Sequence, residues 1–123
     1  MMCPCGSNID YKNCCFLYHN GEKIAESASI LMKSRYAAYV TANADYILKT
    51  TLPNKVHLYK KSDILKWAKS SKWLKLEVLY FDDETVEFKA HYFNPNMQLE
   101  IHHERSRFEN INGKWYYSDA EFF

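Results

Sequence analysis

The sequence predicts an α+β fold, with a cysteine-rich N-terminal unit followed by helices packed on a curved antiparallel sheet. Three observations carry this. All four cysteines, Cys3, Cys5, Cys14 and Cys15, lie within the first 15 residues. From residue 22 to 70 apolar residues recur at helical intervals of three to four, and beyond residue 72 the period drops to two. Short turn signals separate the period-two segments, so they join as consecutive hairpins of an antiparallel sheet.

Taken in order, residues 1–20 read as a compact, turn-rich unit, because Pro4, Gly6 and Asn8 disfavour regular structure. Gly21 separates it from a second unit at 22–123. Residues 22–42 predict one long helix, with Ile24, Ala28, Leu31, Met32, Arg35 and Tyr39 on one face. Asn43 is suited to cap a short second helix carrying Tyr46, Ile47 and Leu48, which must stop by Pro53. Ser62 is suited to cap a third helix over about 63–70, with Ile64, Leu65, Trp67 and Ala68 apolar and Lys66, Lys69 and Ser70 opposite. Leu74–Tyr80 and Val86–Tyr92 alternate as the first two strands, with Asp82-Asp83 turning between them. After Asn94-Pro95-Asn96 a third strand begins at Met97, Leu99 and Ile101 and runs to Phe108. Asn112-Gly113 predicts a type I′ turn into a fourth strand, Trp115–Tyr117. The long first helix is the natural cover for the sheet.

Composition agrees with one ordered chain. The 123 residues are 47% apolar and 16% aromatic, which excludes intrinsic disorder and supplies a core. The net charge of +1 hides an uneven spread. Residues 55–75 hold seven lysines against Asp63 alone, and residues 76–123 hold four basic and ten acidic residues. No apolar run reaches the length of a membrane span. Met1-Met2-Cys3-Pro4-Cys5 lacks the basic and apolar regions of a signal peptide, so a cytoplasmic protein is expected.

Cys3-x-Cys5, eight residues, then Cys14-Cys15 is a metal-ligand pattern rather than a disulfide framework, which would spread cysteines along the chain. Four thiolates suit one tetrahedral Zn²⁺ in a closed structural site, with no open position for catalysis. Gly6 and Asn8 tolerate the positive φ that so tight a loop needs. Lys12 and Lys23 stand near enough in sequence to offset the −2 of a zinc tetrathiolate, and His19 is a substitute ligand should one cysteine point away. Two disulfides or four free thiols are the alternatives.

Cys3-Pro4-Cys5-Gly6-Ser7, Tyr11-Lys12 and Cys14-Cys15 resemble the SEC-C zinc motif of the SecA translocation ATPase tail and many small bacterial proteins, with Asn8 in place of the usual second glycine. The resemblance implies zinc on Cys3, Cys5, Cys14 and Cys15. Leu31-Met32-Lys33-Ser34-Arg35-Tyr36, Ala44-Asp45-Tyr46, Glu104-Arg105-Ser106-Arg107-Phe108 and Trp115-Tyr116-Tyr117 resemble the bacterial YchJ family. That implies a nuclear transport factor 2-like (cystatin-like) α+β cone over 22–123. Some members of that family carry a second SEC-C motif at the C-terminus; these 123 residues contain one.

Several polar residues fall where apolar ones are expected. Arg35 lies on the apolar stripe of the first helix and needs a partner if buried. Alternation from Leu99 and Ile101 points His103, Arg105 and Arg107 inward and leaves His102, Glu104, Ser106 and Phe108 on the opposite face. Either the inner face turns polar at one end, or a bulge near His102–Glu104 flips the register. Arg35, His103, Glu104, Arg105 and Arg107 are therefore candidates for a pocket that binds an anion or small polar ligand, with Glu104 as a base. The plainer alternative is an ion-pair network such as Arg35 with Glu104. His102 and His103 point to opposite faces and cannot chelate one ion together; His57 and His91 read as surface or boundary residues.

Lys55, Lys60, Lys61, Lys66, Lys69, Lys72 and Lys75, with Trp67 and Trp73 between them, suit phosphate contacts and base stacking, or form the solvated face of an amphipathic helix. The leading expectation is a non-enzymatic interaction or adaptor module that presents the zinc knuckle to another protein. A ligand-binding or enzymatic pocket in the cone, and nucleic-acid binding through 55–75, are the alternatives. A homodimer through the outer sheet face remains open.

Overall fold

The computed structural model describes residues 1–123. A 3₁₀ turn at Tyr11–Asn13 leads into α1 (Cys15–His19), followed by α2 (Ala28–Val40), α3 (Ala44–Lys49) and α4 (Lys61–Ser70). Four strands complete the chain: β1 (Lys72–Phe81), β2 (Thr85–Phe93), β3 (Leu99–Ile111) and β4 (Lys114–Phe122). They form one antiparallel sheet in the order β1-β2-β3-β4.

The helix predicted over 22–42 starts later. Ser27 is extended, and its side chain accepts a hydrogen bond from the Ile30 amide at 3.1 Å, so the helix opens at Ala28. Asn43 caps α3 as expected, its Oδ1 accepting from the Tyr46 amide at 3.1 Å. Ser62 does not cap the third helix. That helix begins at Lys61 behind Lys60, whose side chain makes no capping bond. Ile64 and Ala68 are buried there, while Lys66 and Lys69 are exposed.

Asn112 and Gly113 both take positive φ, 53° and 86°, the backbone of the expected type I′ turn. The strands it joins are longer than predicted, reaching Ile111 and Phe122. Register shifts between Trp73 and Lys75, Val78 and Tyr80, and Arg107 and Phe108 bend the sheet around α2.

The facing of β3 is the main correction. Leu99 and Ile101 are exposed, whereas Glu104, Ser106 and Phe108 are buried. His103, Arg105 and Arg107 therefore point outward. No bulge intervenes, because the β2–β3 register runs unbroken from Thr85 opposite Arg107 to Phe93 opposite Leu99. The apolar pair at the hairpin end lies on the outer face, and the true inner face is partly polar.

Leu31, Met32 and Tyr36 of α2 pack on Val86, Phe88, Ala90, Phe108 and Tyr117 of the sheet. Arg35 lies among them, 91% buried. Its Nη1 donates to the Ile47 carbonyl at 2.9 Å, to Thr50 Oγ1 at 2.8 Å and to Thr51 Oγ1 at 3.4 Å. The guanidinium carbon stands 4.5 Å from the centre of the Tyr117 ring. The Thr50 carbonyl and Leu52 amide in turn bond the Tyr117 backbone, so one side chain ties α2, the end of α3 and β4 together.

Phe108→Ala is expected to lower the urea-unfolding free energy by about 3–5 kcal/mol. Leu99→Ser, on the exposed face, is expected to change it by less than about 0.5 kcal/mol. Similar costs at both positions would refute this facing of β3.

Candidate functional site

Two sites lie on opposite sides of α2. The first is the cysteine cluster. The chain turns back at Gly6 (φ 89°) and Asn8 (φ 62°), the Cys3 amide bonds the Ile9 carbonyl at 2.8 Å, and Met2 bridges Asp10. The 3₁₀ turn then delivers Cys14 and Cys15 against the first pair. The four sulfurs lie within 4.8 Å of one another, and Cys5 Sγ is 3.6 Å from Cys14 Sγ. Ligands about 2.3 Å from a tetrahedral ion would stand about 3.8 Å apart, so the set fits a metal ion. At 3.6 Å, Cys5 and Cys14 are too far apart for a disulfide, and all four cysteines are free.

The protonation of the cluster supports the same fit. The hydrogen bond from Cys15 draws the Cys5 thiol well below the ordinary range, against its burial, and Ser7 helps. That same bond, with burial added, pushes Cys15 up, and burial raises Cys3. Four thiolates cannot coexist here without a cation. The backbone around Cys5 and Cys15 favours the Cys3 thiolate, and the backbone at Ser7 favours that of Cys5.

His19 is not a ligand. Its Nε2 donates to the Ser34 carbonyl at 2.8 Å, and its Nδ1 accepts from the Tyr11 hydroxyl at 2.6 Å. The Tyr46 ring packs against it in a tilted arrangement, 4.7 Å between centroids. Cys3, Cys5 and Cys15 pack on Ala37, which is fully buried. His19 and the cysteines thus dock the knuckle on the back of α2.

The second site is a cavity of about 310 Å³ between α2, α4 and the sheet. Tyr36, Tyr39, Trp67, Phe88 and Phe122 are among its walls, with Arg35, Asp63, His102, Glu104 and Ser106 as its polar members. His102 Nε2 donates to Glu104 Oε1 at 2.7 Å, and the Ser106 hydroxyl donates to Glu104 Oε2. The His102 ring lies 5.1 Å from Trp67 and 5.6 Å from Phe122 between centroids. Arg35 and Glu104 both line the cavity but form no ion pair, since each has other partners.

A family model for the middle NTF2-like domain of YchJ matches residues 27–120, and one for the SEC-C motif matches residues 2–17. The chain belongs to the YchJ family. Its relatives include UPF0225 proteins of Actinobacillus succinogenes, 35% identical over 97% of this chain and 80% of that one, and of Streptomyces coelicolor, 36% identical over 98% and 94%. The solution structure of a SEC-C motif containing protein from Rhodopseudomonas palustris superposes with a TM-score of 0.88 at 38% identity, covering 98% of each chain. A crystal structure of a SEC-C motif containing protein from Psychrobacter arcticus gives 0.81 at 31% identity, covering 97% of this chain and 81% of that one. The NTF2-like α+β architecture of this YchJ-family chain follows from both fold and matches.

Of the candidate pocket residues, Arg35 and Glu104 both line the cone, and His103, Arg105 and Arg107 do not. On the outer face, Glu87 accepts from Arg105 Nε and Nη2 at 3.0 and 2.7 Å and from His103 Nε2 at 2.8 Å. Asp119 accepts from Arg107 Nε and Nη2 at 2.7 and 2.9 Å. His91 contacts Glu77 at 3.2 Å. His102, Ser106 and Asp63 were not foreseen as cavity residues; alternation read backward from the buried Phe108 would have found the first two. Trp67 and Trp73 turn toward Tyr39, with centroids 5.2 and 6.1 Å from its ring, rather than outward between the lysines. Lys55 and Lys61 reach Asp119 and Asp45. No helix is long and apolar enough to cross a membrane.

Burial lowers the His19 pKa below its ordinary 6.5, against the bond to Ser34 that raises it. The unfolded state therefore takes up the proton first as pH falls, and stability present above 6.5 is lost below it. Thermal melts should fall from pH 7.5 to about 5.5 by more in wild type than in His19→Gln. An equal fall in the two would remove His19 as the source.

Proposed function

We propose that the protein binds a small, largely apolar molecule in its cone, and that one structural zinc ion stiffens the helix forming the cone's roof. The observation that carries the ligand reading is the aromatic-walled cavity of about 310 Å³ with its polar groups gathered on few elements. Such a volume suits a small organic ligand oriented by a few polar contacts. Nothing in the reading requires catalysis.

Cys3, Cys5, Cys14 and Cys15 would hold the zinc. The ion would neutralise thiolate charge and supply most of the folding free energy of a unit too small for its own core. A reduced thiolate cluster suits the cytoplasm. A second reading, the adaptor, is favoured by the exposed Met1, Met2, Ile9 and Phe16 on the knuckle, which offer apolar contacts to a protein partner.

Elemental analysis is expected to find one zinc per chain in wild type and none in Cys14→Ser. Chelation should lose the amide protection of residues 1–20 while the sheet amides stay protected; loss of protection throughout would make the metal a global determinant of folding. For the cone, indole at millimolar concentration is expected to shift the Trp67 and Trp73 side-chain resonances. Ala90→Phe, which puts a ring where a buried cavity-lining methyl stands, should abolish that shift. Indole binding equally well to this variant would place the ligand elsewhere.

A further inference from the structure

We infer that the cone takes a monoanionic carboxylate with an apolar body, its carboxylate held bidentately by the Nε–Nη2 edge of Arg35. The inference rests on the cavity reading above and names the ligand class.

Every hydrogen bond that Arg35 makes within the protein comes from Nη1. The Nε and Nη2 edge has no protein acceptor. No buried side-chain nitrogen or oxygen in the protein lacks a partner, so this edge must be accessible, and the residue lines the cavity. The side chain is 91% buried, yet no carboxylate lies within ion-pair distance of it. A buried guanidinium held only by neutral groups and a ring face has no direct counter-ion.

The same chain shows what this edge binds. Arg105 holds Glu87 through Nε and Nη2, at 3.0 and 2.7 Å, and Arg107 holds Asp119 through the same two atoms, at 2.7 and 2.9 Å. Two parallel N–H groups fit the two oxygens of a carboxylate. In Arg35 the same two atoms have no protein acceptor, and the residue lines a cavity walled by Tyr39, Phe88 and Trp67.

The charges around it set the valence of the ligand. Glu104 and Asp63 also line the cavity, and no lysine does. A second negative charge on the ligand would meet these carboxylates with no cation left to match it, which disfavours a phosphate dianion. A cationic ligand would have to compete with His102 and Ser106, which already occupy both oxygens of Glu104.

The test is a ¹⁵N-detected titration of the full chain with benzoate, 3-phenylpropionate and indole-3-acetate, each beside its neutral amide, and with phenyl phosphate. At least one acid should bind tenfold or more tightly than its amide and shift the Arg35 Nε–H resonance. Arg35→Lys, which keeps the charge and loses the fork, should lose that preference. Acids and amides binding equally would overturn the carboxylate seat while leaving the cavity reading intact. Tighter binding of phenyl phosphate than of every acid would overturn the monoanion. Acid binding without an Arg35 shift would put the anion elsewhere. If neither acids, amides nor indole bind, the cavity reading falls, and this proposal with it. The acid–amide comparison is made in wild type, so it stands even if Arg35→Lys fails to fold.

Discussion

Arg35 is the point at which the α+β unit is joined. Its Nη1 group satisfies the Ile47 carbonyl near the end of α3 and the hydroxyls of Thr50 and Thr51, and its flat face lies on Tyr117 of β4. A positive group at a helix C-terminus also meets the negative end of that helix. Leucine at the same place would fill the volume but would remove the donor to Thr50 Oγ1 and the link from α2 to the Ile47 carbonyl, which would keep only the Thr50 and Thr51 hydroxyls as donors. A buried cation is seldom the most stable choice for a core. Its presence on the apolar stripe of α2 therefore points to a second task.

Helix α2 places the two sites back to back. Ser34 and Ala37, three residues apart, share one face and receive His19 and the cysteine cluster. Met32, Arg35, Tyr36 and Tyr39 share the opposite face and roof the cavity. Ordering the knuckle therefore fixes the backbone from which the cone's roof side chains project. The Ser34 hydroxyl adds to this by meeting the Tyr46 hydroxyl at 2.7 Å, which links the His19 contact to α3. In this arrangement the metal unit acts as a brace on the helix as well as a surface.

Where the local signal and the tertiary demand coincide, the sequence was legible. The cysteine spacing, the Asn43 cap, the Asn112-Gly113 turn and the alternation of Val86, Phe88 and Ala90 each have a cause within a few residues. The exceptions have physical reasons too. Helix α2 starts where Ser27 can cap it, and the apolar Ile24 that suggested an earlier start is exposed. Ser62 lost its expected role because capping is one of several ways to begin a helix, and here Asp63 in the first turn complements the dipole. The facing of β3 failed because Leu99 and Ile101 are the apolar residues of a hairpin end whose outer face is exposed, so their alternation reports no burial.

That failure is informative, because the polar residues it misplaced divide into two kinds. Arg105 and Arg107, read as inward, are neutralised by Glu87 and Asp119 on the outer face, as ordinary surface ion pairs are. Glu104 and Ser106, read as outward, face the cone beside Arg35. A core selected for stability alone would carry apolar residues at these two positions, as it does at Phe108 one step further along. Instead they form a hydrogen-bonded set with His102 at one side of an aromatic cavity. Locally consistent patterns are expected to break at functional sites. Here the break and a buried guanidinium without a direct ion-pair partner line the same cavity.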